Sequence, residues 1–307
     1  MYVMCITLII LIMPAGGGWT SMFRKILFLL IPIVLIALSL SLGGIIVLAA
    51  PGNPPGAPPP QEPHTAGLRP SQPHIRLATP HAGEEMSLNW GGYAVSGATG
   101  SVTDVKGSWT VPSVTCTSST TYAAFWAGID GFTSGTVEQT GVLDECYQGT
   151  AYYYAWYEFY PSAPVYLTSQ VPVKAGDAIY AEVSYASSKF TATLTDETTT
   201  KSYSITVRVS SAKRSSAEWI AEAPSSCTQR SCSVLPLANF NVAYYGVDYT
   251  SIGSTSYATI NSVTGPLNSF GSSVYELVMV TSSLTVKAQP SAITTDETSF
   301  TVTWKHS

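Results

Sequence analysis

Histidine is nearly missing from the body of this 307-residue chain. The four present are His64, His74, His81 and His306. Three precede the strand-rich part of the sequence and one is the penultimate residue. A Ser-His-Asp or Cys-His nucleophile needs an imidazole held inside a cleft, and a His-rich zinc site needs several. No core segment supplies one, so neither a metal nor a cofactor is expected. Charge is scarce as well: Asp, Glu, Lys and Arg make up 11% of the residues, against about 25% in an average soluble domain. The formal net charge of -5 gives no basic field for nucleic acid. Few ionisable groups also mean little charge change on acidification, which suits an acidic environment. There is no amphipathic helix of normal length, no internal repeat and no C-x-x-C pair.

What the chain does have begins with an apolar N-terminal part. Residues 1–21 form a doubtful upstream segment, with Met22 read as the true start. Arg24 and Lys25 precede an uncharged run from Ile26 to Ala50. That run is longer than the usual h-region of about 7–15 residues and long enough for a bilayer, which takes ~20. Residues 22–50 are therefore either a signal peptide or an anchor. In both cases the rest of the chain lies outside, and an extracellular location is expected, secreted or anchored through 26–50. Residues 51–85 are rich in proline, a composition that favours extended chain over a packed unit. They read as a spacer, a propeptide, or both.

From residue 86 to 307 the pattern is one of short β-branched and aromatic runs separated by turns. Examples are 101–112, 202–210, 275–280 and 299–304. Many such strands at regular spacing indicate a sandwich or barrel, and one domain covers them all. Five cysteines are present, with Cys5 in the N-terminal apolar part. Cys116, Cys146, Cys227 and Cys232 form an even set in an exported domain, which suggests two disulfides. Cys227 and Cys232 would close a short loop, and Cys116 with Cys146 follows by elimination; free buried thiols are the alternative.

The centre of the chain is 125–161. It holds FWAGIDG (125–131), EQTG (138–141) and AWYEFYP (155–161), read as three strands. Side chains alternate between the two faces of a strand. Tyr154, Trp156, Glu158 and Tyr160 then share one face, and Tyr153, Ala155, Tyr157 and Phe159 the other. In AEWIAEAP (217–224), Glu218, Ile220 and Glu222 share a face. Together with NWGGY (89–93) and LPLANF (235–240), these segments resemble the eqolisins, the glutamic peptidases of family G1, over roughly the C-terminal two thirds of the chain.

The resemblance implies an antiparallel two-sheet β-sandwich of the concanavalin A-like type, and an acid-acting endopeptidase whose partners are protein or peptide substrates. A monomer is expected. It implies Gln139 and Glu222 as the catalytic pair, and cleft positions at Trp90, Trp126, Asp130, Trp156, Glu158 and Tyr160. A pro-segment is common in the family, which favours that reading of 51–85. Two positions depart from the fungal pattern. Leu143 stands where an acidic residue commonly follows the QTG turn, and Tyr154 where an Asp often precedes AWYE. Glu138, next to Gln139, would face the other side of its strand and act structurally.

The chemistry of such a pair follows from its groups. A glutamate can take a proton from water and return it to the leaving nitrogen. A glutamine amide can donate to the oxyanion and does not titrate. Water is the nucleophile, so no acyl-enzyme forms. Two other functions fit the same residues. One is a glycoside hydrolase using Glu158 and Glu222, since lectin-like sandwiches often host paired carboxylates. The other is a non-catalytic module binding carbohydrate or peptide.

Overall fold

The computed structural model describes residues 62–77 and 84–307. The expected upstream segment, the signal or anchor run at 26–50, and His81 lie outside these residues. Among the described residues, no helix is long and apolar enough to cross a membrane.

The described residues are built mainly of antiparallel β-strands. Two short strands, β1 (Leu68–Arg69) and β2 (Arg76–Leu77), precede β3 (Glu84–Ser87), β4 (Trp90–Ser96) and β5 (Val102–Thr110). The long central strands are β6 (Thr121–Ile129), β7 (Val137–Tyr147) and β8 (Thr150–Tyr160). There follow β9 (Val165–Tyr166), β10 (Ala178–Ala186), β11 (Lys189–Asp196), β12 (Lys201–Val207) and β13 (Ser216–Glu222). A small hairpin joins β14 (Ser225–Cys227) to β15 (Cys232–Val234). Last come β16 (Val242–Tyr245), β17 (Tyr257–Ile260), β18 (Val263–Pro266), β19 (Val274–Val280), β20 (Val286–Pro290) and β21 (Phe300–Trp304). Among the described residues, helix is confined to one α-turn (Val247–Thr250) and one 3-10 segment (Leu267–Ser273).

Pairing defines two layers. One runs β9-β8-β7-β6-β13-β4-β19. The other runs β12-β11-β10-β5-β16-β21. Strand β20 pairs with both β19 and β21 and joins the layers along one edge. The main core lies between them, where Phe125, Trp219 and Ala155 of the first layer meet Trp109, Ile179 and Tyr245 of the second. This is the expected sandwich, and the run read at 299–304 forms β21.

Alternation in the first layer separates two apolar clusters. The inter-layer core takes Tyr153, Ala155, Tyr157 and Phe159 from β8. A second cluster on the outer face takes Tyr154 and Trp156, with Tyr160 packed against it. The split is that expected from the period of the strand. Cys116–Cys146 and Cys227–Cys232 are both disulfide-bonded, the first tying the β5–β6 loop to β7 and the second closing the β14–β15 hairpin.

One segment behaves differently from its composition. The described part of the Pro-rich stretch, residues 62–77, does not run free as a spacer. Strand β1 pairs with β14, and β2 pairs with β3. Leu68 joins the outer cluster of the first layer. Proline density removes backbone donors, but the few side chains and amides left find tertiary partners, and those decide the packing.

Candidate active site

The outer face of β13, β6, β7 and β8 is a grid of cross-strand rows. Glu222 lies opposite Ala124, which lies opposite Leu143, which lies opposite Tyr154. The next row is Ile220, Trp126, Gly141 and Trp156. The row after it is Glu218, Gly128, Gln139 and Glu158. Gly141 of the QTG motif is dictated by this grid. A Cβ there would lie 2.2 Å from the Phe125 carbonyl oxygen and 2.6 Å from Trp126 Cβ, so only glycine lets the Trp126 side chain rise between the two outer rows.

Glu222 is completely buried. Its Oε1 accepts from Asn89 Nδ2 at 3.0 Å and from the Gln72 backbone N–H at 2.9 Å. Its Oε2 accepts from Trp126 Nε1 at 3.0 Å. Burial pushes its carboxyl well above the usual range, while these donors, with Ser71, pull it back down. Asn89 belongs to the NWGGY motif but carries no charge to draw attention; its amide reads as a plain turn residue until its contact with Glu222 is seen.

Gln139 is also fully buried. Its Nε2 donates to Glu158 Oε2 at 3.3 Å, and its Oε1 has no partner among the described residues. Glu158 additionally accepts from Arg69 at 3.0 Å. Burial pushes its carboxyl up to about 8, with Arg69 working against the shift. No hydrogen bond joins Gln139 to Glu222 directly; they stand two rows apart, with β6 between their strands. Residues 71 and 72 run from Glu158 to Glu222. Ser71 presents its backbone N–H to Glu158, and the next N–H, that of Gln72, goes to Glu222.

The aromatic candidates gather on the same face. Trp90, Trp126 and Trp156 are wholly buried in the outer cluster. Trp90 and Trp126 meet edge to face at 5.0 Å, and Trp90 Nε1 donates to the Gln72 carbonyl at 2.9 Å. Trp156 Nε1 has no partner among the described residues. Tyr160 sits at the rim of the cluster.

Asp130 is placed otherwise. It turns the chain at the end of β6 with φ 74, and its carboxylate is spent on the loop before β13. It accepts from the backbone N–H groups of Lys213, Arg214 and Ser215 at 2.7, 2.6 and 2.9 Å. Those bonds make it an anchor that fixes where β13, and so Glu222, begins. Glu138 faces away from Gln139, as expected, and burial with Asp130 nearby pushes it up to about 9. Two more carboxyls belong to this face: Glu218, which the sequence already placed with Glu222, and Glu145, which it did not single out. Glu218 lies in the Gln139 row, and burial pushes it well up. Glu145 receives the His64 backbone N–H at 3.0 Å, the His64 Nδ1 at 2.9 Å and the Tyr154 hydroxyl at 3.0 Å.

An antiparallel sandwich with this carboxylate-and-amide face defines a hydrolase class, the glutamic endopeptidases, and the comparisons agree. The model of the Peptidase A4 family matches residues 88–301, and the chain belongs to that family, the eqolisins or G1 glutamic peptidases. Aspergillopepsin-2 of Aspergillus niger is 35% identical over 199 residues, which cover 56% of this chain and 67% of that protein. Scytalido-glutamic peptidase, crystallised with a transition-state analog inhibitor, aligns with a TM-score of 0.58 and 26% identity over 71% of this chain and 98% of its own. SCP-B, an eqolisin in complex with the tripeptide Ala-Ile-His, aligns with a TM-score of 0.53 and 25% identity over 71% of this chain and 98% of its own. Family membership displaces the glycosidase and binding-module readings.

Proposed function

We propose that this protein is an acid-acting endopeptidase in which Glu222 is the general base and acid and Gln139 the oxyanion donor. One observation carries the reading. A backbone peptide already lies along this face, with its Ser71 N–H at Glu158, the hydrogen-bond partner of Gln139, and its Gln72 N–H at Glu222. A substrate bound along the same path would bring its carbonyl before the pair. Glu222 takes a proton from water as the oxygen adds to that carbonyl carbon, and returns it to the departing nitrogen. Gln139 bonds the oxyanion through an amide that stays neutral at every pH.

Trp90, Trp126, Trp156, Glu158 and Tyr160 form the wall that an extended peptide lies against, and Asn89 and Trp126 hold the Glu222 carboxylate in place. Asp130 positions β13. The substrate is protein or peptide and the enzyme acts as a monomer. Two disulfides in one domain favour an oxidising, extracellular compartment, reached through the 22–50 segment as a cleaved signal or a retained anchor.

The test is digestion of a denatured protein at acid pH by the wild-type protein, Glu222→Gln and Gln139→Ala, with products identified by mass spectrometry. Loss of one oxyanion donor costs about 10²–10³ in rate. Near wild-type turnover by either folded variant, with contaminating protease excluded, would refute the assignment.

A further inference from the structure

Lys287 is buried without a counter-ion. It lies on β20, where Ala288 belongs to the inter-layer core and Lys287 therefore faces the other way. The residue is only 7% exposed. Among the described residues its amine has neither an ion-pair nor a hydrogen-bond partner, and burial pulls its pKa down to about 8. The acids on the neighbouring strands do not reach it. Glu85 of β3 pairs with Arg76, Glu276 of β19 accepts from Gln289 at 3.1 Å, and Glu84 lies beside Glu276. On the other side, Lys305 and His306 donate their backbone N–H groups to the Lys287 carbonyl and bring basic side chains, not acidic ones. A lysine is almost never fully buried unless paired, because taking an ammonium out of water is costly.

Lys287 lines a pocket of about 490 Å³, within the range of small-molecule sites, about 300–1,000 Å³. Five apolar residues wall it, Leu88, Val234, Leu235, Pro236 and Val280, and no Asp or Glu side chain lines it. Ser307 lines it too, and the carboxyl there makes no ion pair with Lys287. Apolar walls with one unpaired ammonium are complementary to a ligand of the opposite layout. We propose that this pocket binds a small amphipathic carboxylate, its charged end on Lys287 and its apolar body against the Leu235 and Val280 walls. The ligand supplies the acceptor that the ammonium lacks, and the apolar surface it covers adds to the binding. Fatty acids and apolar peptides with a free C-terminal carboxyl share this chemistry. The pocket contains neither Glu222 nor Gln139, yet its wall is joined to the catalytic face. Leu88 precedes Asn89, which bonds Glu222, and Leu235 donates its N–H to the Pro224 carbonyl at 2.8 Å. Charge pairing needs an ionised carboxyl, hence a pH above about 4, and a protonated Lys287, hence a pH below about 8.

The test is calorimetric titration of the purified full chain with sodium octanoate and, separately, with N-acetyl-leucine as a peptide end. Octanamide keeps the chain without the charge, and acetate keeps the charge without the chain. Octanoate should bind one to one at pH 6, and at least about tenfold more weakly to Lys287→Met, the loss expected for one charge-assisted hydrogen bond. Circular dichroism checks that the variant is folded. Binding should weaken as pH falls through about 4 and as it rises through about 8. A second readout needs no substitution. In protein labelled with nitrogen-15 lysine, the Lys287 amine should titrate near 8 when free and higher with octanoate, since a bound anion favours the charged form. Either carboxylate binding in this way supports the site, and the tighter of the two names its source. Equal affinity for octanamide, or for octanoate in Lys287→Met, would leave a plain apolar surface and overturn the proposal. Equal affinity for acetate would overturn the role of the apolar walls. An unchanged Lys287 titration, or no saturable binding of either carboxylate, would overturn the site altogether.

Discussion

Leu143 and Tyr154 face each other across β7 and β8, in the same cross-strand row as Glu222. The two departures from the fungal pattern are therefore one feature. An apolar and an aromatic side chain fill a row where acidic groups were expected, and Tyr154 turns its hydroxyl away to Glu145.

Leu143→Asp should test that row. Position 143 is fully buried, so an introduced carboxyl would be forced to stay neutral, its folded pKa raised above the unfolded value of about 3.9. Even protonated it would cost about 1–3 kcal/mol for want of a partner. The penalty should grow as pH rises above about 4. Urea unfolding at pH 3.5 and pH 7 would check this; an equal penalty at both would mean that the row admits water.

Gln139→Glu should separate the two roles in the catalytic pair. A carboxyl at 139 donates a hydrogen bond only when protonated, whereas Glu222 must be ionised to act as base. The acid next to position 139 is Glu158, with which an introduced carboxyl would titrate as a coupled pair, and the productive form holds a proton at 139 while Glu222 is ionised. The variant should keep some activity in a narrow acid window and lose it at higher pH, where wild type continues. Profiles of kcat/KM against pH on one peptide would decide; a shared alkaline limb would remove Gln139 from the reaction.

Asp144 should make the protein less stable as pH rises. It is fully buried on β7, neither carboxylate oxygen has a partner among the described residues, and burial holds its pKa well above the ordinary value. The folded state then binds a proton that the unfolded state releases. Its contribution is intact below the unfolded pKa of about 3.9 and is lost upward from there. Asp144→Asn should gain on wild type as pH rises, by at most about 1.4 kcal/mol per pH unit. A difference between the two proteins that stays constant from pH 4 to 7 would contradict this.

His74 should loosen the 62–77 segment in acid. Its ring stacks between Trp90 and Phe132. Burial, with Arg76 nearby, pushes its pKa down to about 4; Arg76 itself is paired with Glu85. The packed imidazole stays neutral while a displaced one takes a proton, so packing is favoured above the free value of about 6.5 and weakens as pH falls towards 4. Hydrogen exchange of residues 72–77, corrected for the intrinsic rate, should show protection falling over that range in wild type. In His74→Phe it should not fall. Equal pH dependence in both would place the acid sensitivity elsewhere.

Much of this was readable before folding. The period of two strands placed Glu158 with Tyr154, Trp156 and Tyr160, and Glu218 with Glu222; that both sets lie on one face of the first layer came from the pairing of β13, β6, β7 and β8. The cysteine pairs followed from an even count and one short loop. Gln139 was legible only through motif order, since an isolated glutamine in a strand has no signature. Asp130 was read as a wall residue only because the family resemblance puts its position in the cleft, but its partners lie at 213–215. Contacts across such a separation leave no local pattern.

By itself the sequence determined what short-range physics controls: the all-β class and the two faces of each strand. Tertiary structure alone decided that residues 62–77 of the Pro-rich stretch pack against the face carrying Glu145, Glu158 and Glu222. Its composition favours extended chain, and extended chain has no partner of its own. The carboxylates of Glu145, Glu158 and Glu222 supply acceptors for His64, Arg69 and Gln72, and buried acceptors must be satisfied. That requirement acts between residues 81 to 150 positions apart, and only the folded chain brings them together.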